Sequence, residues 1–297
     1  MNVAPDDLPR SPLLEALIHL LRVERLEHNL FRGTSADIGS PSVFGGQVLG
    51  QALIAAARTV EGRLAHSLHA YFLRPGDMRA AIVYEVDRIR DGASFTTRRV
   101  SAIQHGRAIF TMAASFQVAE PGVEHQSTMP VVAAPEDLLN EAQLFALARE
   151  RHPGLLDKWS GRARPIELRP LHPLDPLAPE PREAASGVWL RTVGALSDND
   201  PVLHQALLAY ASDFSLLRVA MHPHGLSFLQ PRVQSVSLDH AMWFHREVRI
   251  DDWLLHAIDS PSAAAARGFC RGSIYSRDGR LVASVAQEGL LRLRSVP

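Results

Sequence analysis

Within residues 235–246, SVSLDHAMWFHR, a serine, an aspartate and a histidine fall inside four positions: Ser237, Asp239 and His240. These are the side chains of a nucleophile, an orienting acid and a base, and a working triad would hydrolyse an acyl bond through an acyl-enzyme. Strand alternation argues against a local triad. A regular strand puts Ser235, Ser237, Asp239, Ala241 and Trp243 on one face, and Val236, Leu238, His240, Met242 and Phe244 on the other. His240 then points away from Ser237, and Asp239 sits roughly 7 Å along the strand from it. On this reading His240 is a core histidine with His69 as its counterpart.

Two further residues are out of place. Asp213 is the only formally charged side chain, counting His204 as neutral, in an apolar helix read over 202–217. A carboxylate there is costly unless it is paired or solvated. Such groups are often functional, and a structural carboxylate at a helix end or kink is an equal reading. Gln287 shares a small, apolar strand face with Leu281, Ala283 and Val285. A buried amide needs partners for its donors and acceptor; a glutamine at a frayed strand end fits equally well.

The elements that must position these residues repeat. A short amphipathic helix (11–22) and a strand (23–33) precede a helix over 45–60 that opens on Gly45 and Gly46. Strands follow at 64–73 and in AIVYEVDRIR, SFTTRRVSAIQ and RAIFTMAASFQV, broken at the hairpin signals RDGA and QHGR. A helix near 136–150 and a proline-rich stretch, 170–183, read as a linker. Then a strand (187–194), the helix over 202–217 and further strands return. Gln51-Ala52-Leu53 matches Gln205-Ala206-Leu207 at an offset of 154, His69-Ala70 matches His240-Ala241 at 171, and Gly106-Arg107 matches Gly279-Arg280 at 173. Their common order argues for a duplication, with a 17-residue insertion between helix and strand in the second copy.

Both central helices are apolar on nearly all sides and must be buried. A curved antiparallel sheet wrapped around each satisfies this. The reading is an α+β double hot-dog, with units at 11–120 and 186–297 and a linker at 121–185. With these offsets Asp213, Ser237 and Gln287 fall opposite Thr59, His66 and Ala114. The polar set thus belongs to the second unit, which implies one active site per chain, and His66 is a candidate contributor from the first.

Composition narrows the class. A hydrophobic fraction of 46% and a charged fraction of 21% over 297 residues fit a globular protein with a large core. A net charge of −1 gives no field for nucleic acid or an anionic membrane. The one cysteine, Cys270, excludes an internal disulfide and fits a reducing compartment. The N-terminus is acidic and lacks the apolar segment of a secretory signal, and no apolar run is long enough to span a bilayer. A cytoplasmic protein without membrane insertion is expected. GGQVLGQ lacks a following Gly-Lys-Ser/Thr, HGLSFLQ lacks the second glycine of a G-x-S-x-G elbow, and no His-Glu-x-x-His occurs, so no metal is expected.

The segments VFGGQVLGQAL, HSLHAYFLRPGD, YASD, LDHAMWFHR, ARGF and GRLVASVAQEG stand in the order they take in the acyl-CoA thioesterase II family. The chain resembles that family from about residue 11 to 292. The resemblance implies a double hot-dog enzyme that hydrolyses fatty acyl-CoA to free acid and CoA without metal or cofactor. It carries catalytic roles onto Asp213, Ser237 and Gln287, with serine where the family often has threonine. Asp213 would then be the general base for a water held by Ser237 and Gln287. The N–H groups of Gly45 and Gly46 are candidate donors to the oxyanion. An acyl-enzyme on Ser237 is the alternative mechanism. A hydratase, which needs an aspartate–histidine pair, and a non-catalytic acyl-CoA-binding protein are the alternative functions; no histidine is expected beside Asp213. Hot-dog proteins commonly associate, so a homo-oligomer is expected.

Overall fold

The computed structural model describes residues 11–154, 164–196 and 199–294. Helix α1 (Pro12–Leu21) opens on a proline, which the first turn tolerates, and buries Leu14, Leu17 and Leu21 as one stripe. The strand expected over 23–33 is instead a hairpin, β1 (Glu24–Glu27) and β2 (Leu30–Gly33), turning at His28 and Asn29. Helix α2 (Gly45–Ala57) is buried from Gly46 to Ala56, as its all-round apolar sequence requires. Strands β3 (Leu64–Phe72), β4 (Ile82–Asp91), β5 (Phe95–Gln104) and β6 (Arg107–Gln117) complete the first half.

The connecting region holds α3 (Glu141–Arg151), with an asparagine capping box at its start, and a strand not anticipated, β7 (Ile166–Pro170). It is packed rather than loose. Met129, Val132, Leu138 and Leu171 cover a cluster of Trp189, Trp253, Leu255 and Tyr275, and Trp189 Nε1 donates to the Ala133 carbonyl at 2.9 Å. The second half runs β8 (Ala185–Thr192), α4 (Pro201–Ser212), α5 (Leu216–Val219), β9 (Val233–Ser237), β10 (Asp239–Phe244), β11 (Leu254–Ala264), β12 (Arg267–Ser276) and β13 (Leu281–Leu293).

All strands join one large antiparallel sheet in the order β1-β2-β4-β5-β6-β3-β10-β13-β12-β11-β8-β7, with β9 beside β13. The run β2-β4-β5-β6-β3 recurs in mirror order as β10-β13-β12-β11-β8, so the β3–β10 pair is the seam between two like segments. Helices α2 and α4 pack on each other. Their approach is close because a Cβ on Gly46 would collide with the Tyr210 carbonyl oxygen, and one on Gly50 would lie 3.0 Å from that of Ala206.

Register corrects the alignment of the copies. Leu68 lies opposite Ala114 across β3–β6, and the β10–β13 register, running from Ala241↔Ala286, places His240 beside Gln287. The counterpart of His240 is therefore Leu68. His69 is exposed, edge-on to Trp243, whereas His240 is wholly buried. A slip of one residue in a strand exchanges its faces. The helix expected over 202–217 also divides: α4 ends at Ser212, and α5, within the insertion that follows it, lies over β12 and β13.

Candidate active site

Asp213 is the C-cap residue of α4, with a side chain only 5% exposed. The helix is fixed at its other end by Asp200, whose carboxylate accepts the Val202 N–H at 2.9 Å, and by Pro201 in the first turn. Ser237 closes β9, opposite Gly289 on β13. Gln287 sits on the buried face of β13 with Ala283 and Val285 and is wholly buried, as the alternation requires.

The three converge. Gln287 Nε2 lies 2.6 Å from Asp213 Oδ1 and 3.1 Å from Ser237 Oγ. The same nitrogen lies 3.2 Å from His240 Nδ1, so Ser237 and His240 both reach one amide, contrary to the expectation that they face apart. The reason is local. The pairing partner of β13 slips by one residue between β9 and β10, at Leu238, whose N–H goes to Glu288 O and whose carbonyl accepts the Phe72 N–H. Such a bulge re-aims side chains. Asp239 does not join the group; its carboxylate accepts the Glu288 N–H at 2.6 Å, and burial raises its pKa.

The hydrogen-bond directions can be assigned. Ser212 Oγ donates to the Ala209 carbonyl at 2.9 Å, so it accepts from His240 Nε2–H at 3.0 Å. His240 Nδ1 is then an acceptor and takes one Gln287 N–H, while the other goes to Asp213. The reverse amide orientation would press a carbonyl oxygen against the carboxylate. Burial lowers the His240 pKa against the pull of the Asp213 carboxylate, which suits this neutral tautomer. His240 thus lies 4.0 Å from Asp213 but across the Gln287 amide, a histidine that sequence reasoning had not placed there. Gln287 Oε1 is buried and takes no hydrogen bond.

The first half contributes at the seam. Gly45 starts α2, and a Cβ there would lie 2.8 Å from Asp213 Oδ2 and 2.9 Å from the Phe72 ring. First-turn N–H groups of a helix have no intrahelical acceptor, which leaves those of Gly45 and Gly46 available beside the carboxylate. His66 is placed otherwise: its Nε2 meets Ser115 Oγ at 2.8 Å, its ring lies edge-on to Phe95, and it makes no hydrogen bond to the group around Gln287. A carboxylate, a hydroxyl and an amide meeting beside free helix N–H groups can hold and deprotonate a water next to a polarised carbonyl.

The fold is that of hot-dog proteins. A conserved protein of unknown function with a hot dog fold from Alicyclobacillus acidocaldarius superposes with a TM-score of 0.72 over 94% of this chain and 99% of that one, at 19% identity. Family models described as acyl-CoA thioesterase and acyl-CoA thioesterase N-terminal domain match residues 179–290 and 32–117. Acyl-CoA thioesterase 2 of Haemophilus influenzae is 43% identical over 95% of this chain and 99% of its own length. The crystal structure of acyl-CoA thioesterase II TesB2 from Mycobacterium marinum is also 43% identical, with a TM-score of 0.76 over 94% of this chain and 99% of that one. The chain belongs to the acyl-CoA thioesterase family.

Proposed function

We propose that this protein is a double hot-dog thioesterase that hydrolyses fatty acyl-CoA to free acid and CoA by direct attack of water. The observation that carries the reading is the convergence of Asp213 and Ser237 on one nitrogen, the Gln287 amide, with Asp213 next to Gly45. Asp213 takes the proton of the attacking water. Ser237 and Gln287, the amide braced by His240, fix the water against the thioester carbon. The N–H groups at the start of α2 receive the developing oxyanion, and the thiolate of CoA leaves.

A cavity of about 130 Å³ lies beside α5, and the apolar part of its lining suits an acyl chain, while Arg164, Arg182 and Arg218 make the rest of it polar. Leu144, Phe145, Val188, Val219 and Leu226 help to line it, and Ser215, two residues beyond Asp213, opens onto it.

An acyl-enzyme on Ser237 has less support, since both nitrogens of His240 are already engaged with Ser212 and Gln287. The same engagement weighs against a hydratase, despite the nearness of His240 to Asp213. The reading keeps a homo-oligomer in the cytoplasm, which light scattering and cell fractionation would test. Incubation with decanoyl- or palmitoyl-CoA and a thiol reagent separates the functions: free CoA must appear. Release of no thiol from either substrate would leave the binding protein or the hydratase.

A further inference from the structure

The first half keeps the positions of the site without its chemistry. Ala114 stands where Gln287 stands in the second half, and its partner across β5–β6 is Arg98, where Gln287 has Cys270. Thr59 stands where Asp213 stands and accepts from Arg98 Nε at 2.8 Å. Arg98 is 1% exposed. Its other nitrogens donate to the carbonyls of Thr59, Arg90 and Thr97 and to Asp91 Oδ1 at 2.6 Å. A cation fills the place of the water-binding group.

Around it lies a cavity of about 520 Å³, at the C-terminal end of α2. Thirteen helical residues at about 1.5 Å each put it roughly 20 Å from the Gly45 end. In the second half α5 covers the corresponding strands, with Leu217 lying against Gly289. The first half has no such insertion and stays open.

The charge in this cavity is unbalanced. Arg25, Arg58, Arg63, Arg88 and Arg98 line it with only Asp91 and Glu61 as acids, an excess of three positive charges. Among the described residues, Arg98 pairs with Asp91, and the other four arginines form no ion pair. Their hydrogen bonds go to neutral groups: Arg25 to the Glu27 carbonyl and His28, Arg58 to the Val23 carbonyl, Arg63 to Thr96 and the Ala93 carbonyl, and Arg88 to Asn29. Other surface arginines behave differently; Arg99, on the same strand as Arg98, pairs with Asp87 at 2.7 Å, and Arg271, in the second half, pairs with Asp259 at 2.8 Å. The Arg98 guanidinium, hydrogen-bonded to Asp91 and helped by Arg88 and Arg63, holds the Asp91 carboxyl below the usual range. The guanidinium forks suit phosphate oxygens, and four unpaired ones in one cavity suit clustered phosphates.

We propose that this cavity is a second ligand site, separate from the catalytic group, that binds a diphosphate-bearing anion. A nucleoside diphosphate and the nucleotide end of CoA share that chemistry. Titration calorimetry on the full chain at about 50 mM salt, where exposed charges are little screened, tests it with pyrophosphate, ADP and CoA. The wild type is expected to bind pyrophosphate. Arg25→Gln/Arg88→Gln should weaken binding roughly tenfold or more, and Arg25→Glu/Arg88→Glu should abolish it. Circular dichroism checks that both fold, and Arg99→Gln serves as the control without effect. ADP binding more tightly than pyrophosphate points to a nucleoside diphosphate. Two CoA sites per wild-type chain, reduced to one in the glutamine variant, point to the coenzyme. Absence of pyrophosphate binding at millimolar concentration, or equal binding in wild type and the folded glutamine variant, overturns the proposal.

Discussion

Gly45 and Gly46 are neighbours on α2, yet adding a methyl group to each should have opposite consequences. A Cβ on Gly45 would stand 2.8 Å from Asp213 Oδ2, whereas ordinary contact begins at 3.4 Å. The carboxylate must retreat by about 0.6 Å to relieve the overlap. Its other oxygen is tied to Gln287 at 2.6 Å, so the base cannot move without loosening the amide. Misplacement of a catalytic group by about 1 Å costs about a hundredfold, and Gly45→Ala is expected to lower kcat about ten- to hundredfold. Alanine is also favoured over glycine in a helix by roughly 0.5–1 kcal/mol, and the obstructing atoms are side chains, so the melting temperature should change little. Gly46→Ala meets the Tyr210 backbone carbonyl, which cannot swing aside. There α2 and α4 must separate, at about 1–3 kcal/mol. Thiol release at saturating decanoyl-CoA, paired with thermal melts, reads both. A Gly45→Ala enzyme with wild-type kcat, or one that melts as early as Gly46→Ala, would refute the placement of Asp213 against α2.

Asp213→Asn should fold and lose about two to four orders of magnitude in kcat; retention of more than about a tenth of the rate excludes it as the base. Ser237→Thr should be tolerated and Ser237→Ala damaging, and mass spectrometry of quenched turnover should find no acyl group on the Ser237 peptide, since its presence would establish the acyl-enzyme. His240→Phe removes both ring nitrogens and should lower kcat about ten- to hundredfold with KM little changed; an unchanged kcat would show that the amide needs no brace. Burial and His240 hold His256 at about 3, while burial, Arg182 and Arg218 hold His222 at about 4. The unfolded chain protonates both near 6.5, so it binds more protons below that pH, and stability present above 6.5 should fall as pH drops toward 4. Urea midpoints that stay flat between about pH 7 and 5 would contradict this.

The elements were largely legible because their patterns are strong: all-round apolar helices, alternating strands and hairpin turns at RDGA and QHGR. Asp213 and Gln287 stood out for the same reason, as polar groups on apolar faces. The rest was hidden by events with no local signature. Leu238 carries no glycine or proline to announce the bulge, so alternation wrongly set Ser237 and His240 on opposite faces. The end of α4 at Ser212 is likewise unmarked, because Phe214, Ser215 and Leu216 continue a plausible helix. His240 was paired with His69 by identity, and a shift of one position hid its buried contact with Gln287. Arg98 reads as one of several strand arginines, and only the fold brings it against Thr59.

The seam between β3 and β10 joins two copies that share a polypeptide. Two separate subunits would have to find each other at cellular concentration, and one gene would oblige both to keep the same residues. A tether replaces that encounter with a high local concentration that dilution cannot abolish. It also ends the obligation of sameness. On the mechanism proposed above, threonine for Asp213 would silence both sites of a symmetric pair but is tolerable when confined to one partner. Covalent fusion therefore turns one of the two halves into genetic free space, where new recognition can accumulate while the other half continues the original reaction.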